Sequence, residues 1–322
     1  MGRTIEYIAE TSKEHGKLAE SELYSSGAEG CLGKETLFLL SSPPKSPTHL
    51  AFLKGLYKIL FSTKKESLVK VCQTFAWNSV YQENFSVHMQ GDKETEKKVA
   101  KIIFDSLKNP RVKLKDADTQ FIIFEIEELV YLTLADLSVQ RNKDNKWEER
   151  KNQHLPESHP VSLHPKLARV MINLLATQEL IVDPMCGTGA LLSEALLTGH
   201  DVKGGDCDPL MIEKSRKNIE WIKNKYAITK KYDLEVKNFF SVSQIPYLVT
   251  DLPFGKNTKN ISDDFNKRFF LHLSKVLTKR AVIGMIHKGI VLPEGLYCRE
   301  KFEYYVHKSL SKDILVIEKQ VN

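Results

Sequence analysis

The sequence predicts an α/β fold for the C-terminal half of the chain, with an open parallel sheet and helices between its strands, preceded by α+β segments. An apolar run ends in Asp183 and leads through the small-residue turn Gly187–Gly189 into a second apolar segment with helical composition. Strand, glycine turn and helix in this order are typical of nucleotide-binding α/β units. Strand-like and helix-like segments alternate from residue 180 onward, which indicates right-handed crossovers and a parallel sheet.

Acidic residues end three of the predicted strands, at Asp183, Asp206 and Asp251. Open α/β sheets bind ligands at the carboxyl ends of their strands, so the three carboxylates are expected to meet in one crevice. Asp183 would repel a pyrophosphate, but it suits a cationic ligand such as S-adenosylmethionine. Asp206 follows the glycine turn at about the 20-residue distance where an acid holds a ribose hydroxyl. Asp208 is the second candidate for that contact.

The size and charge of the chain limit the number of domains and the kinds of partner that it can have. Its 322 residues suffice for two or three domains, and the net charge of +6 permits a polyanionic partner. No apolar run approaches the roughly 18 residues of a membrane span, and no apolar signal segment follows Met1. The five cysteines are scattered without a Cys-x-x-Cys pair. The cysteine pattern predicts neither a metal site nor disulfides, and it favours a cytoplasmic protein. The lack of a long apolar run predicts no membrane contact.

Residues 1–65 are predicted to form a small N-terminal domain. Strand, helix, strand, loop and helix follow one another in a short stretch, and this order favours an α+β ferredoxin-like unit. The predicted elements are a strand at Tyr7–Ala9, a helix at Glu14–Tyr24, a strand at Thr36–Leu40, a loop at Ser41–Pro47 and an amphipathic helix at His49–Phe61.

Residues 66–138 are predicted to form a second small domain with a basic surface. Its predicted elements are the strand Phe85–Met89, the helix Glu94–Leu107 and the strands Thr119–Glu127 and Leu129–Leu134. Cations on and after the helix could neutralise several phosphates of an RNA, and a solvated face is the alternative. This basic cluster comprises Lys97, Lys98, Lys101, Lys108, Arg111, Lys113 and Lys115.

A charged stretch, residues 139–160, is predicted to be a linker to a catalytic domain at residues 161–322. The lone Trp147 within it either packs at a domain interface or stacks on a base. Pro165 suits the first turn of a helix with one apolar face, which precedes the sheet. The predicted strands are Leu180–Asp183, Val202–Asp206, Leu234–Lys237, Tyr247–Asp251 and Ala281–Ile286, with helices at Ala190–Leu197, Leu210–Trp221 and Phe265–Leu277 and a closing antiparallel hairpin of Phe302–His307 and Ile314–Ile317.

Two motifs carry a resemblance to a known family. Asp183-Pro-Met-Cys-Gly-Thr-Gly189 together with Thr250-Asp-Leu-Pro-Phe-Gly-Lys256 resembles the THUMP-bearing RNA guanine-N2 methyltransferases, which modify tRNA. The resemblance implies a class I, Rossmann-like methyltransferase sheet, S-adenosylmethionine as cofactor and tRNA as partner. The pattern Val112-x-Leu-x-x-x-Asp118 before a strand resembles the THUMP domain, which binds the acceptor end of tRNA. Members of this family often need a small zinc-binding activator subunit, so the resemblance raises such a partner here.

The same resemblance implies how a cofactor would be held. Asp183 and the glycine turn would hold the methionine part. Asn238 stands where the family usually has an adenine-contacting Asp; an amide can accept and donate, and a plain turn residue is the alternative. Phe239 would stack on the base, while Ser162 and His164 line the methionine pocket or cap the following helix. The candidate cofactor residues are Ser162, His164, Asp183, Cys186, Gly187, Thr188, Gly189, Asp206, Asn238, Phe239 and Asp251.

The predicted catalytic residues are Asp251, Leu252, Pro253 and Phe254. The exocyclic amine of guanine is a poor nucleophile because its lone pair is drawn into the ring. Asp251 and the Leu252 carbonyl would accept its two N–H groups, and Phe254 would stack on a base rotated out of the helix. Leu252 replaces a proline of the family's commoner Asp-Pro-Pro-Tyr form, so the turn gains an N–H and a freer φ. Lys256 would grip a flanking phosphate.

Two other functions fit parts of the sequence. The Asp-Leu-Pro-Phe turn presents an exocyclic amine equally well in an N6-adenine methyltransferase that acts on nucleic acid. A catalytically inactive THUMP RNA-binding protein with a vestigial cofactor fold is the third hypothesis. The intact acids and glycines of the motifs argue against the third, and the RNA-binding segment argues against a DNA substrate.

Overall fold

The chain folds into two compact units, as seen in a computed structural model. Unit 1 comprises residues 1–48 and 52–145, and unit 2 comprises residues 49–51 and 146–322. The structure describes residues 4–141, 147–159, 162–253, 265–286, 291–307 and 310–320. Among the helices in these ranges, none has the length and apolar character needed to cross a membrane.

Unit 1 is built on one mixed sheet. Its elements are β1 (Tyr7–Thr11), α1 (Gly16–Ser25), β2 (Glu29–Lys34), β3 (Leu37–Ser42), β4 (Leu53–Lys64), α2 (Leu68–Thr74), β5 (Phe85–Met89), α3 (Lys93–Ser106), β6 (Thr119–Ile126), β7 (Leu129–Ala135) and α4 (Leu137–Arg141). The strand order is β2-β3-β1-β4-β7-β6-β5. Strands β5 and β6 pair in parallel, and the other neighbouring strands pair antiparallel.

The predicted amphipathic helix at His49–Phe61 is wrong, because strand β4 occupies most of this stretch. The apolar residues at positions 53, 56, 57, 60 and 61 have helical spacing, which explains the wrong prediction. Strand β4 pairs with β1 and β7 inside the sheet, and a register shift between Ile59 and Phe61 interrupts the alternation that a regular strand would have. Tertiary pairing therefore overrides the local pattern, and residues 53–64 form a strand where the sequence predicts a helix.

The predicted boundary between residues 65 and 66 does not divide the sheet of unit 1. Strand β4 joins β1 to β7, so strands from both predicted domains lie in one sheet. The elements predicted between residues 85 and 134 are confirmed as β5, α3, β6 and β7, with bounds that differ by at most one residue. Helix α3 begins after Asp92, whose carboxylate accepts the Thr95 N–H at 2.9 Å and caps the helix.

Unit 2 has the predicted α/β architecture. Its elements are α5 (Pro165–Leu174), β8 (Ile181–Asp183), α6 (Ala190–Leu197), β9 (Val202–Asp206), α7 (Pro209–Lys225), β10 (Tyr232–Val236), β11 (Ile245–Asp251), α8 (Phe265–Val276), β12 (Leu277–Ile286), β13 (Leu296–His307) and β14 (Leu310–Lys319). The strand order is β10-β9-β8-β11-β12-β14-β13. The first five strands in this order are parallel, and β14 pairs antiparallel with both β12 and β13. The predicted parallel sheet with an antiparallel closing hairpin is confirmed.

The three acid-ended strands are neighbours in this sheet, in the order β9, β8 and β11. Strand β11 and helix α8 supply an apolar layer that includes Leu248, Phe269 and Leu273, none of which is exposed to solvent. Because packed strands restrain the side chains at their ends, the acids stand on a rigid edge.

The predicted linker, residues 139–160, is a folded part of unit 2 from Trp147 onward. Arg150 and Arg169 both bind the Glu194 carboxylate, each with an N···O distance of 2.7 Å, and all three side chains are at most 4% exposed. Both guanidinium groups also lie over the Trp147 ring, at 4.9 and 5.5 Å from its centroid. Arg150 therefore anchors this polar stretch to the interior of unit 2.

Replacing Glu194 by Gln is expected to lower the free energy of unfolding by about 3–5 kcal/mol, because two buried guanidinium groups lose their shared carboxylate. Chemical denaturation followed by tryptophan fluorescence measures this loss. The matched control is Glu213→Gln, whose exposed carboxylate pairs with Lys217 at 3.6 Å and should matter little. An equal loss in both variants would contradict a structural role for the buried network.

Candidate functional site

A cavity of about 510 Å³ lies at the carboxyl ends of β8, β9 and β11. Most of the predicted cofactor and catalytic residues line it, namely Ser162, Asp183, Cys186, Gly187, Thr188, Asp206, Asn238, Phe239, Asp251, Leu252 and Pro253. His164 and Gly189 are not part of this described wall. The predictions for Phe254 and Lys256 fall outside the described residues.

The glycine turn between β8 and α6 needs both of its glycines. Gly187 has a φ of 51° and Gly189 a φ of 83°, which side chains with a Cβ rarely adopt. A Cβ at Gly189 would also stand 2.5 Å from the Ser215 hydroxyl oxygen. The Gly187 N–H donates to the Asp206 carboxylate at 3.0 Å, so the turn is fixed to the end of the neighbouring strand.

Asp206 is held by backbone N–H groups through both of its carboxylate oxygens. One oxygen accepts the Gly187 N–H, and the other accepts the Asp208 N–H at 2.9 Å. Asp208, the second ribose candidate, caps helix α7 by accepting the Leu210 N–H at 2.8 Å. Both acids also line the cavity. The backbone bonds orient Asp206 before any ligand is present.

Asp183 is the most deeply buried of the three acids, with 1% of its surface exposed. The pKa of its carboxyl group is raised to about 7, chiefly by burial and in smaller part by the nearby carboxylates of Asp206 and Asp251. The Met185 N–H, which donates to Asp183 at 3.2 Å, and the nearby Thr250 hydroxyl act in the opposite direction. Asp183 can therefore change its charge near neutral pH when a cation approaches.

The chain segment before α5 contributes one wall residue and one capping residue. The Ser162 hydroxyl lies 3.4 Å from the Thr188 hydroxyl across the cavity wall. His164 accepts the Lys166 N–H through Nδ1 at 3.2 Å, which is the helix-capping role that the sequence left open. Buried Asn218 donates to the backbone carbonyls of Glu157, at 2.9 Å, and Thr188, at 3.0 Å, and so connects this segment to the glycine turn.

Asn238 and Phe239 follow β10 at the far side of the cavity. The Asn238 side-chain oxygen accepts the Phe240 N–H at 3.0 Å, a turn role that leaves the amide nitrogen for other contacts. Phe239 is only 3% exposed and packs on Phe269, with ring centroids 4.8 Å apart. Phe240 also lines the cavity, and the Arg268 guanidinium lies 4.9 Å from its ring centroid.

Asp251 makes two different contacts through its two carboxylate oxygens. Oδ2 binds the Lys312 ammonium group, while Oδ1 is buried without a hydrogen-bond partner among the described residues. Burial raises the pKa of the Asp251 carboxyl group, and the Lys312 charge opposes this rise. The Leu252 N–H donates to the Gly284 carbonyl at 2.7 Å, so the residue that replaces proline in this turn uses its extra donor.

Sequence reasoning missed Lys312 and Gly284. A Cβ at Gly284 would stand 2.6 Å from Asp251 Oδ1, so the absence of a side chain leaves room for that oxygen. Lys312 belongs to β14, which runs antiparallel to β12. The start of such a strand lies at the ligand edge. The signal available in the sequence was a lysine two residues before the predicted closing strand Ile314–Ile317.

The predicted basic cluster lies on the surface of unit 1, where all seven of its cations are exposed. Lys98 pairs with Glu94 at 2.6 Å and Lys101 with Asp105 at 3.1 Å, so part of this charge is already compensated. The segment with Arg111, Lys113 and Lys115 extends the sheet beside β5, because the Lys113 N–H donates to the Phe85 carbonyl at 2.9 Å.

Known proteins resemble this chain over one or both units. The RMKL-like methyltransferase domain family (UPF0020) matches residues 153–309. The tRNA (guanine(10)-N2)-dimethyltransferase of Methanothermobacter thermautotrophicus is 27% identical, over 98% of this chain and 100% of that protein. A probable tRNA (guanine(10)-N2)-dimethyltransferase of Methanothermococcus thermolithotrophicus is 31% identical, over 49% of this chain and 100% of that protein. The crystal structure of TrmN from Thermus thermophilus has a TM-score of 0.51 at 16% identity, over 98% of this chain and 100% of that one, which supports the fold alone.

Replacing Asp183 by Asn is expected to change how stability depends on pH. The pKa of the folded carboxyl group, about 7, lies above the unfolded value of about 4. Its contribution to stability is therefore fully present below about pH 4 and is lost as pH rises through about 7. Relative to the unmodified chain, the variant should gain on the order of 4 kcal/mol between about pH 4 and pH 8.

Denaturant unfolding at several pH values measures this difference. Asp233→Asn serves as the control, because its exposed carboxylate pairs with Lys203 at 3.2 Å and should leave the pH dependence unchanged. A stability difference between Asp183→Asn and the unmodified chain that is the same at every pH would refute the raised pKa of Asp183.

Proposed function

The chain belongs to the family of THUMP-containing tRNA guanine-N2 methyltransferases, and from this premise we propose that it methylates the exocyclic N2 of a guanosine in tRNA with S-adenosylmethionine as donor. One observation carries the proposal: Asp183, Asp206 and Asp251 meet at one cavity beside the Leu252–Pro253 turn. These residues supply contacts for a cationic nucleoside on one side and for an exocyclic amine on the other.

The residues of the cavity fit this cofactor. A volume of about 510 Å³ is in the usual range for a ligand of this size. Asp183 and the glycine turn would hold the methionine part, Asp206 the ribose, and Asn238 with Phe239 the adenine. A positive charge beside Asp183 favours its ionised form, and so a bound cation opposes the rise in pKa that burial causes. When bound, S-adenosylmethionine supplies an electrophilic methyl group on a positively charged sulfur.

The residues after β11 fit the acceptor. Asp251 Oδ1 is a buried acceptor without a partner among the described residues, and it would take one N–H of the guanine amine. The Leu252 carbonyl would take the other N–H, and the two contacts would localise and aim the nitrogen lone pair. Positioning of this kind can supply roughly 7–11 kcal/mol. Phe254 is proposed to stack on the rotated base, and Asp251 or solvent would take the surplus proton.

The exposed cations of unit 1 support tRNA as the substrate, since each can neutralise a phosphate. We propose that the segment of unit 1 from β5 to β7, which carries these cations, is the THUMP domain. We also propose that Lys256 contacts the RNA beside the modified nucleotide. The two relatives described above are named for dimethylation of guanosine 10, and we extend that position and product to this chain. A cytoplasmic protein is consistent with the five free cysteines.

The test is a product analysis. The purified chain is incubated with labelled S-adenosylmethionine and an unmodified tRNA transcript, and the nucleosides are separated. We expect N2-methylguanosine first and N2,N2-dimethylguanosine later, and no product from a transcript with adenosine at position 10. N6-methyladenosine would favour the adenine methyltransferase, and no product would favour an RNA-binding protein or a required activator subunit, which adding the zinc-binding partner distinguishes.

Replacing Asp251 by Ala is expected to abolish methyl transfer and to leave the dissociation constant for tRNA nearly unchanged, because Asp251 contacts the acceptor amine and not the phosphates. Single-turnover transfer and filter binding measure the two effects. Glu213→Ala, at an exposed position, is the control for altered surface charge. Equal loss of transfer and of tRNA binding would mean that Asp251 has a structural role.

Replacing Lys97, Lys113 and Lys115 together by Ala is expected to weaken tRNA binding and to flatten its salt dependence. Each lost phosphate contact should reduce the slope of log K against log salt by about 0.7–0.9. These lysines make no ion pair within the part of the chain that the structure describes, so their charges are available to RNA. Binding titrations between low and moderate salt give the slope.

The control for this prediction removes the same net charge elsewhere. Lys203, Lys217 and Lys279 of unit 2 each pair with a carboxylate, and their triple Ala variant should keep the slope of the unmodified chain. An unchanged slope in the unit 1 variant would place the RNA surface elsewhere.

A further inference from the structure

Lys312 binds the carboxylate on which the proposed chemistry depends. We propose that Lys312 is a positioning residue for methyl transfer, which holds Asp251 by one oxygen so that the other oxygen faces the acceptor amine. This inference rests on the proposed function, because it assigns Asp251 to the acceptor.

Strand direction explains how Lys312 reaches this place. Strand β11 runs parallel to β12, and Asp251 lies beside Gly284 in their register. Strand β14 runs the opposite way on the other side of β12, with Ile314 beside Gly284 and Lys312 beside Ile286. Lys312 thus lies two residues beyond Ile314 toward the carboxyl end of β12, where the long side chain extends to Asp251. A residue near the end of β14 would lie at the opposite edge of the sheet.

The two oxygens of the Asp251 carboxylate have different environments. Oδ2 binds the ammonium group, and Oδ1 has no partner among the described residues although it is fully buried. A buried acceptor without a partner loses roughly 1–3 kcal/mol, so such an atom is expected where a ligand completes the site. Gly284 keeps space beside Oδ1 that a Cβ would take. Lys312 on one side and Gly284 on the other together fix which oxygen is presented.

The charge of Lys312 also bears on the protonation of Asp251. Burial alone raises the pKa of this carboxyl group, and Lys312 lowers it. The described neighbours that face Asp251 are Asp183 on β8, Lys312 on β14, and the uncharged Gly284 on β12 and Met171 on α5. Asp183 disfavours the ionised form of Asp251, so Lys312 is the group in this set that favours it. An ionised carboxylate is the stronger acceptor for an amine N–H.

Stability by itself is a weak reason for this ion pair. The Lys312 side chain is 4% exposed and that of Asp251 15%. The free energy of removing both charges from water offsets most of the Coulomb attraction in a buried pair. Apolar residues of similar size often stabilise a fold more. On the face of the sheet that carries Lys312, its neighbours Ile286, Ile314 and Val316 are apolar. A charged side chain in this layer is therefore better explained by its effect on Asp251.

The experiment compares Lys312→Met with Lys312→Arg in the full chain. For Lys312→Met we expect single-turnover methyl transfer to fall by about 100-fold near pH 7. Dissociation constants for S-adenosylmethionine and tRNA should stay within about threefold. The pH at half-maximal rate should move upward by about 1–3 units, because the opposing cation is gone. Lys312→Arg keeps the charge and should keep the pH profile of the unmodified chain.

Two results would overturn the proposal. One is a Lys312→Met variant with an unchanged rate. The other is a variant whose rate falls equally at every pH together with its affinity for S-adenosylmethionine, which would indicate a structural role.

A second pair of variants decides the matter even where Lys312→Met fails to fold. Asp251→Asn keeps an acceptor oxygen, and Asp251→Asn combined with Lys312→Met should have the same residual rate, because Lys312 acts through Asp251. The double variant should also have the higher melting temperature, since no buried ammonium lacks its carboxylate. A much slower double variant would refute action through Asp251. Should the unmodified chain make no N2-methylguanosine, the proposed function fails, while the melting temperatures still report whether the two side chains are coupled.

Discussion

The rest of unit 2 depends on how the protein accommodates three carboxylates at one edge of its sheet. Three neighbouring parallel strands end in carboxylates, and two of these, Asp183 and Asp251, have pKa values raised by burial. The three acids have different environments in the fold. Asp183 has a pKa near neutral pH, Asp206 is held by two backbone N–H groups, and Asp251 is paired with Lys312. The edge can thus be assembled without a ligand and still attract a cation.

The order of the three acids along the sheet has a chemical consequence. Asp183, whose pKa lies near neutral pH, is on the central strand, between Asp206 and Asp251 on the strands at either side. A cation that enters the cavity favours the ionised form of Asp183, whereas Asp206 and Asp251 are already oriented by the protein. In the proposed function, affinity for the cofactor and orientation of the acceptor therefore depend on different groups. This separation is useful to an enzyme that must bind one reactant and aim the other.

The sequence predicted unit 2 well because its signals are local. Each parallel strand is a short apolar run with an acid or a turn at its end, and the helices between them have one apolar face. The prediction failed at strand β4, whose apolar residues have helical spacing and whose strand form depends on two distant partners. It failed again at residues 147–159, where one of the charges that suggest solvent exposure, Arg150, is paired with Glu194 in the interior.

The candidate site was predictable wherever its residues lie in continuous motifs. Asp183, Asp206 and Asp251 each follow a strand, so their meeting could be inferred from the rule on strand ends. Lys312 and Gly284 could not be found in this way. Their relation to Asp251 depends on the register between β11, β12 and β14, which no local pattern records.

The turn after β11 shows how register can replace a rigid residue. Leu252 stands where the commoner motif has proline, and its N–H extends the pairing of β11 with β12 by one bond to Gly284. A proline would restrict the unfolded chain, a gain of about 0.4–1 kcal/mol. It would also leave the Gly284 carbonyl unpaired, a loss of roughly 1–3 kcal/mol, and remove a side chain that is 98% buried in the core, since Leu252 is 2% exposed. In this chain the loss exceeds the gain, so the hydrogen bond to Gly284, and not a proline ring, holds the carbonyl of residue 252 beside Asp251.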